Sequence, residues 1–194
     1  MKTYLLDNII KQECAKRVIE IALCGNHSIK FLGNEEAQEL KLACAQLKIN
    51  AFALPSCRCG NLKDRELPCI CRPFELKKYQ SSKKYRAPAD LIVEIYRLPV
   101  SALQNYAAGK IEPGETTEKM LARVEKAKLI KVKKEIKNSV ALNLLKNAIN
   151  HLSLNKTQID IIIKVAATIA KLDACLEIQP AHIAEALQYR AQTN

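Results

Sequence analysis

Tryptophan is absent from this sequence and phenylalanine occurs only three times, so any core it builds must be aliphatic. Long hydrophobic runs are absent too: no uninterrupted apolar stretch approaches the ~20 residues that span a bilayer. The apolar N-terminal residues are interrupted by Asp7 and Lys11, which argues against a signal peptide. The expectation is a soluble, intracellular chain, cytoplasmic in location and without a membrane partner. Acidic residues are in deficit, 20 against 31 Lys and Arg, for a net charge of +11. The excess is concentrated between Arg72 and Arg86 and between Lys119 and Lys137. Such clusters point to a polyanionic partner, usually nucleic acid, or else to lysine-rich helix faces that are simply solvated. Histidine is scarce, with three in all, and no Cys/His or Ser/His/Asp set for nucleophilic catalysis can be assembled. His151 and His182 read as surface residues, and His27 as a local hydrogen-bonding group after a helix end.

Cysteine is what the chain has in quantity. Four of its eight cysteines form two close pairs, Cys57-Arg58-Cys59 and Cys69-Ile70-Cys71, joined by the polar segment Gly60 to Pro68. Four thiolates gathered by a short hydrophilic loop supply a tetrahedral, soft ligand set. Zinc suits it best, an iron–sulfur centre is the alternative, and a metal-free group of reduced thiols is the plainest reading. A disulfide is disfavoured, because nothing marks the chain as secreted. Cys14, Cys24, Cys44 and Cys175 lie in helical or apolar contexts, where a thiol acts as a small hydrophobe.

The hydrophobic fraction of 48% and charged fraction of 26% suit an ordinary globular protein of one medium or two small domains. Ile9, Cys14, Val18, Ile21 and Ala22 predict a first helix, capped by Asp7 or Asn8 and ended by Gly25. A buried strand at 28–32 follows, then a helix over 35–47 and a strand over 49–54, an alternation typical of an α/β layer. Beyond the cysteines the pattern predicts a short helix at 73–80, a basic irregular stretch at 81–88 and a strand at 91–96. The rest is helical: a long basic helix from Thr116 or Thr117 to about Ile136, another over 140–152, an apolar one to Leu172 opened by the capping box Asn155 to Gln158, and a last one from Pro180. The predicted fold is α/β, mostly α, with a core over 1–98, a connector over 99–114 and a four-helix domain over 115–194.

A strand, a glycine and a helix also frame a phosphate-binding loop, whose pattern is G-x-x-x-x-G-K-[ST]. The corresponding residues run from Gly33 to Leu40. Gly33 survives, but Gln38 stands for the second glycine, Glu39 for the lysine and Leu40 for the magnesium-binding hydroxyl. Glu35, Glu36 and Glu39 satisfy the helix dipole themselves and repel a triphosphate. ATP and Mg²⁺ are therefore not expected here.

Several phrases occur together in one order: Ala15-Lys16-Arg17-Val18-Ile19-Glu20-Ile21-Ala22 with Gly25-Asn26-His27, Cys57-x-Cys59-Gly60 with Pro68-Cys69-x-Cys71, Gly114-Glu115-Thr116-Thr117, Ala122-Arg123-Val124-Glu125, Val165-Ala166-x-Thr168-Ile169-Ala170, and Ala184-Glu185-Ala186-Leu187-Gln188-Tyr189-Arg190. In these the chain resembles the magnesium-chelatase-like AAA+ ATPases of the ComM/YifB type, linked to bacterial competence and helicase work on DNA. The resemblance implies a truncated AAA+-like core followed by a lid-like helical domain. It also implies what is missing. The stretch with the Walker B acidic residues is deleted, and Pro55-Ser56 replaces a sensing asparagine. Ala87-Pro88-Ala89-Asp90 lacks an arginine, and Thr157 stands where a second sensing arginine belongs. Phosphoryl transfer rests on positioned charge around phosphate and Mg²⁺, so these losses together imply no hydrolysis.

Three functions follow as expectations. The first is a non-catalytic, zinc-binding relic of an AAA+ subunit, partnered by DNA, by an intact ATPase paralogue or by itself. The second is a nucleotide-binding subunit acting on DNA through a divergent site. The third is a nucleic-acid-binding module using Arg58, Lys63, Arg65, Lys77, Lys78, Lys83 and Lys84 around the metal.

Overall fold

The chain enters through a 3₁₀ turn, Leu5–Asn8, and not through a helix. Lys11 and Gln12 then adopt left-handed conformations, φ 54° and 59°, so helix α1 starts only at Glu13 and runs to Gly25. Ile9 packs into the core from the segment before it. Asn26, also left-handed, closes the helix by bonding back to Ala22. The structure is a computed structural model and describes residues 4–62, 64, 67–110, 114–133 and 135–190.

Three short strands follow the predicted order: β1 (Ile29–Leu32), β2 (Ala51–Leu54) and β3 (Leu91–Glu94). They form a parallel sheet in the order β2-β1-β3, with Ile29 level with Ala51 on one side and Leu91 on the other. A parallel sheet must be covered on both faces, which is why β1 is buried along its whole length. Helix α2 (Glu35–Gln46) makes the β1–β2 crossover and buries Ala37, Leu40, Ala43 and Cys44. The outer edge of β3 is occupied in part by the C-terminal segment, since the Ile92 N–H donates to the Tyr189 carbonyl at 2.8 Å.

After the cysteine loop come α3 (Pro73–Gln80) and a one-turn helix α4 (Lys83–Arg86), where an irregular stretch was expected. Ser82 caps α4 through the Tyr85 N–H, and Pro88 biases Ala87 out of helical geometry. Helix α5 (Val100–Ala107) lies in the connector. Helix α6 (Thr117–Lys128) stops well short of Ile136. Past it the half-buried positions are Ile130, Val132 and Ile136, alternating with exposed residues, which is the period of an extended segment and not of a helix.

Helices α7 (Ser139–Leu152), α8 (Lys156–Leu172) and α9 (Pro180–Gln188) follow. The box at α8 forms as expected, with Asn155 and Gln158 side chains each accepting the other's backbone N–H. One cluster of buried apolar residues joins α1 and the sheet to α6, α7, α8 and α9. Among the described residues, no helix is long and apolar enough to cross a membrane.

Candidate metal centre

Strand β2 ends at Leu54, and the next residues turn over the carboxyl end of the sheet. Ser56 organises that turn, its hydroxyl hydrogen shared between the Gly60 carbonyl at 3.1 Å and the Leu62 carbonyl at 3.3 Å. Gly60 sits at φ +86°, and a Cβ there would lie 2.4 Å from Asn34 Oδ1. Only glycine meets both demands, the left-handed backbone and the close approach. Tyr79 on α3 holds the entrance of the loop, its hydroxyl donating to the Pro55 carbonyl at 3.0 Å.

The turn brings Cys57, Cys59, Cys69 and Cys71 together, with all four Sγ atoms within 4.8 Å of one another. Cys57 Sγ is 3.4 Å from Cys59 Sγ and 3.7 Å from Cys69 Sγ, and Cys59 to Cys69 is 3.6 Å. These are far beyond the ~2.05 Å of a disulfide. Sulfurs around one tetrahedral zinc, with bonds of ~2.3 Å, would stand about 3.8 Å apart. Cys57 is fully buried, and the other three are half-buried. Backbone N–H groups aim at the sulfurs: Cys59 N donates to Cys71 Sγ at 3.4 Å. The Asn61 N–H, opposed by burial and helped by the Ile70 N–H, pushes the Cys59 thiol down to about 6. Burial first, then hydrogen bonding to Cys59 and Cys69, pushes Cys57 up. The group offers four soft donors, and one of them ionises readily.

The β1–α2 turn lies directly beneath. Gly33 and Asn34 alone separate β1 from α2, so the positions of Gln38, Glu39 and Leu40 lie inside the helix. Gln38 and Glu39 are exposed on its flank, and Leu40 is fully buried in the core. Gly33 has a packing reason to persist, because a Cβ there would meet the Ile95 carbonyl at 2.5 Å. Glu36 accepts the Leu98 N–H at 3.2 Å, tying the chain after β3 to α2. A cleft of about 290 Å³, part of it open solvent, lies at the carboxyl ends of the strands, with both apolar residues (Leu32, Leu62, Ile95) and polar ones (Asn34, Asp64, Arg97) in its lining.

Of the basic residues read from the sequence, Arg58 is exposed and pairs with Glu75 at 3.5 Å. Lys77 and Lys78 are exposed on α3, and Lys83 and Lys84 on α4. Lys63 and Arg65 lie outside the described residues. Within the second basic cluster, Arg123 is engaged internally, forming a two-pronged pair with Glu115 at 2.6 and 2.8 Å.

Arg123 also reaches a group that sequence reasoning missed. Glu20 on α1 is 2% exposed and accepts hydrogen bonds from Arg123 and, at 3.0 Å, from Arg17. Arg17 continues to Glu185 at 3.0 Å and Asp173 at 3.1 Å, so one ionic network joins α1, α6, the end of α8 and α9. Apart from Asp173, its members come from the phrases that carried the family resemblance. His182 is buried rather than on the surface: its Nδ1 accepts the Gln179 N–H at 3.0 Å and caps α9. Its dependence on chain folding at 173–182 gave the sequence no signal. His27 is buried, with Nε2 2.9 Å from the Thr168 hydroxyl on α8 and Nδ1 3.8 Å from Asp90, so its partners are distant in sequence where local ones were expected.

Comparison with known proteins places two matches on the chain. Residues 132–190 match the family described as magnesium chelatase, subunit ChlI C-terminal. The chain is also similar to the competence protein ComM of Haemophilus influenzae, 34% identical over 118 residues that cover 53% of this chain and 22% of the relative. It therefore spans less than a quarter of that relative's length.

Proposed function

We propose that the chain, which is similar in part to the competence protein ComM, is a zinc-stabilised, non-hydrolytic binding module associated with DNA. It keeps a truncated AAA+-like core over 1–98, a connector over 99–114 and a lid-like helical domain over 115–194. It works in the cytoplasm, where thiols stay reduced and available to a metal. The observation that carries the reading is the thiol loop lying on the β1–α2 turn, with Gly60 against Asn34. In open parallel sheets, ligands enter the crevice at the carboxyl ends of the strands. Here the thiol loop lies over that crevice, with Ser56, Gly60 and Leu62 among its lining residues.

Cys57, Cys59, Cys69 and Cys71 would hold the zinc, whose role is to fix the loop. No open coordination position is needed for that role, and four protein thiolates leave none. The geometry of the turn supports a loss of ATP chemistry. A phosphate loop bends its backbone N–H groups around the anion before the helix starts, and its lysine and hydroxyl project from the helix mouth. With α2 beginning at Glu35, the corresponding positions are a helix flank and a core leucine. Calorimetry with MgATP and a phosphate-release assay test this. The expected result is no micromolar affinity and no turnover. Binding at micromolar ATP, or turnover abolished by Glu39→Ala, would overturn it.

DNA association is supported by the exposed lysines of α3 and α4 beside the loop and by the net charge of +11. Such binding should be salt-dependent and independent of sequence, through counterion release. An intact ATPase paralogue or a second copy of the chain is the protein partner consistent with a shortened subunit.

A further inference from the structure

We infer that the metal loop and the outer face of α3 form a platform for single-stranded nucleic acid, with Phe74 as the base-stacking group. The inference rests on the DNA reading above and narrows it to one kind of strand. Two large apolar side chains beside the thiol cluster face solvent: Ile70, 81% exposed between Cys69 and Cys71, and Phe74, 73% exposed in the first turn of α3. Neither contributes to the core, and α3 buries no residue completely. The helix turns Glu75, Leu76, Tyr79 and Gln80 towards the protein and leaves Phe74, Lys77 and Lys78 outside. Those three are spaced i, i+3 and i+4, so they stand together on one face.

The surroundings are cationic. Arg72 precedes the helix and is exposed, and Arg58 is brought alongside by its pair with Glu75 at 3.5 Å. An exposed aromatic ring within a frame of Arg and Lys suits one occupant above others. Bases of an unpaired strand offer flat apolar faces for stacking, and their phosphates complement the positive rim. Duplex DNA offers phosphates to the same lysines but keeps its bases stacked on one another, out of reach of Phe74. The contact needs no sequence readout, since every base has a π-face. Tyr79 and Tyr85 do not serve this role: their rings meet edge to face at 5.4 Å, and Tyr79 is tied to Pro55.

The test is fluorescence anisotropy of the full chain with labelled oligo-dT and with a duplex of the same length, over a series of salt concentrations. Tighter binding of the single strand is expected. Phe74→Ala should weaken it roughly tenfold with the salt slope unchanged, and Phe74→Trp should restore it. Lys77→Ala with Lys78→Ala should instead reduce the salt slope by about 1.4, the value for two single-strand phosphates. If the chain binds DNA but Phe74→Ala binds as well as the parent, or duplex binds as tightly as oligo-dT, the platform is refuted and the DNA reading stands. If neither DNA binds at low salt, both fail. If sedimentation shows a dimer that Phe74→Ala dissociates without loss of DNA affinity, the apolar pair is a self-association surface and the inference is overturned.

Discussion

Replacing Glu20 by Ala should cost far more than replacing any other acidic residue of its network. Glu20 is 2% exposed and accepts charge-assisted hydrogen bonds from two guanidinium groups, Arg17 and Arg123. Such bonds contribute about 1.5–3 kcal/mol each, which sets a ceiling of about 3–6 kcal/mol. The ceiling is not reached, because neither arginine would be stranded. Arg17 keeps Asp173 at 3.1 Å and Glu185 at 3.0 Å, and Arg123 keeps both Glu115 oxygens, at 2.6 and 2.8 Å. Their side chains are also 28% and 41% exposed, so water screens part of the loss. About 2–3 kcal/mol remains, or a drop in Tm of about 5–10 °C for a chain of this size. Glu115, 43% exposed, supplies the control: Glu115→Ala should cost less than about 1 kcal/mol. Urea and thermal unfolding followed by circular dichroism measure both. A Glu20→Ala variant within ~0.5 kcal/mol of the parent, or a Glu115→Ala variant that costs as much, would refute the claim that this buried carboxylate fastens α6 to α1.

Stability should also fall as pH drops below neutrality. Burial, opposed by Asp90 and Asp173 respectively, holds His27 and His182 below the ordinary imidazole value of 6.5. The unfolded chain then takes up protons that the native state refuses, so stability is full above 6.5 and is lost as pH falls through 6.5 towards the lowered values. Urea midpoints at pH 7.5 and 5.5 check this, and a midpoint that stays level or rises on acidification would contradict it. Gly60→Ala should disorder the thiol loop, since it adds both left-handed strain and a contact 2.4 Å from Asn34 Oδ1, while leaving the C-terminal helices folded. Amide exchange confined to the loop is the expected signature. Asn155→Ala should cost about 1 kcal/mol by removing the cap of α8, readable in the urea midpoint.

The elements that were legible are those fixed by neighbours in sequence. Helix α8 begins where its capping box lies, and α3 and α9 begin at Pro73 and Pro180, because a proline at the first helical position needs no N–H partner. The sulfur cluster was legible because four thiols on one short loop have few other ways to lie. Helix α6 was overextended because its lysines and glutamates suit a helix, while the change to two-residue alternation at Ile130 decides otherwise. The start of α1 was misplaced by the left-handed pair Lys11 and Gln12, which no propensity marks. Glu20 looked like one more polar residue on a helix, since its two arginine partners include one 103 positions away. Phe74 was overlooked for the opposite reason: its spacing with Lys77 and Lys78 was visible, but its exposure depends on which face of α3 the protein covers.

Elemental analysis of the protein, purified without chelators under reducing conditions, tests the central claim most directly. About one zinc per chain is expected, retained by the parent and lost on Cys69→Ser, with the helices beyond residue 115 still folded in that variant. A parent protein that carries no metal, or iron in place of zinc, would contradict the account.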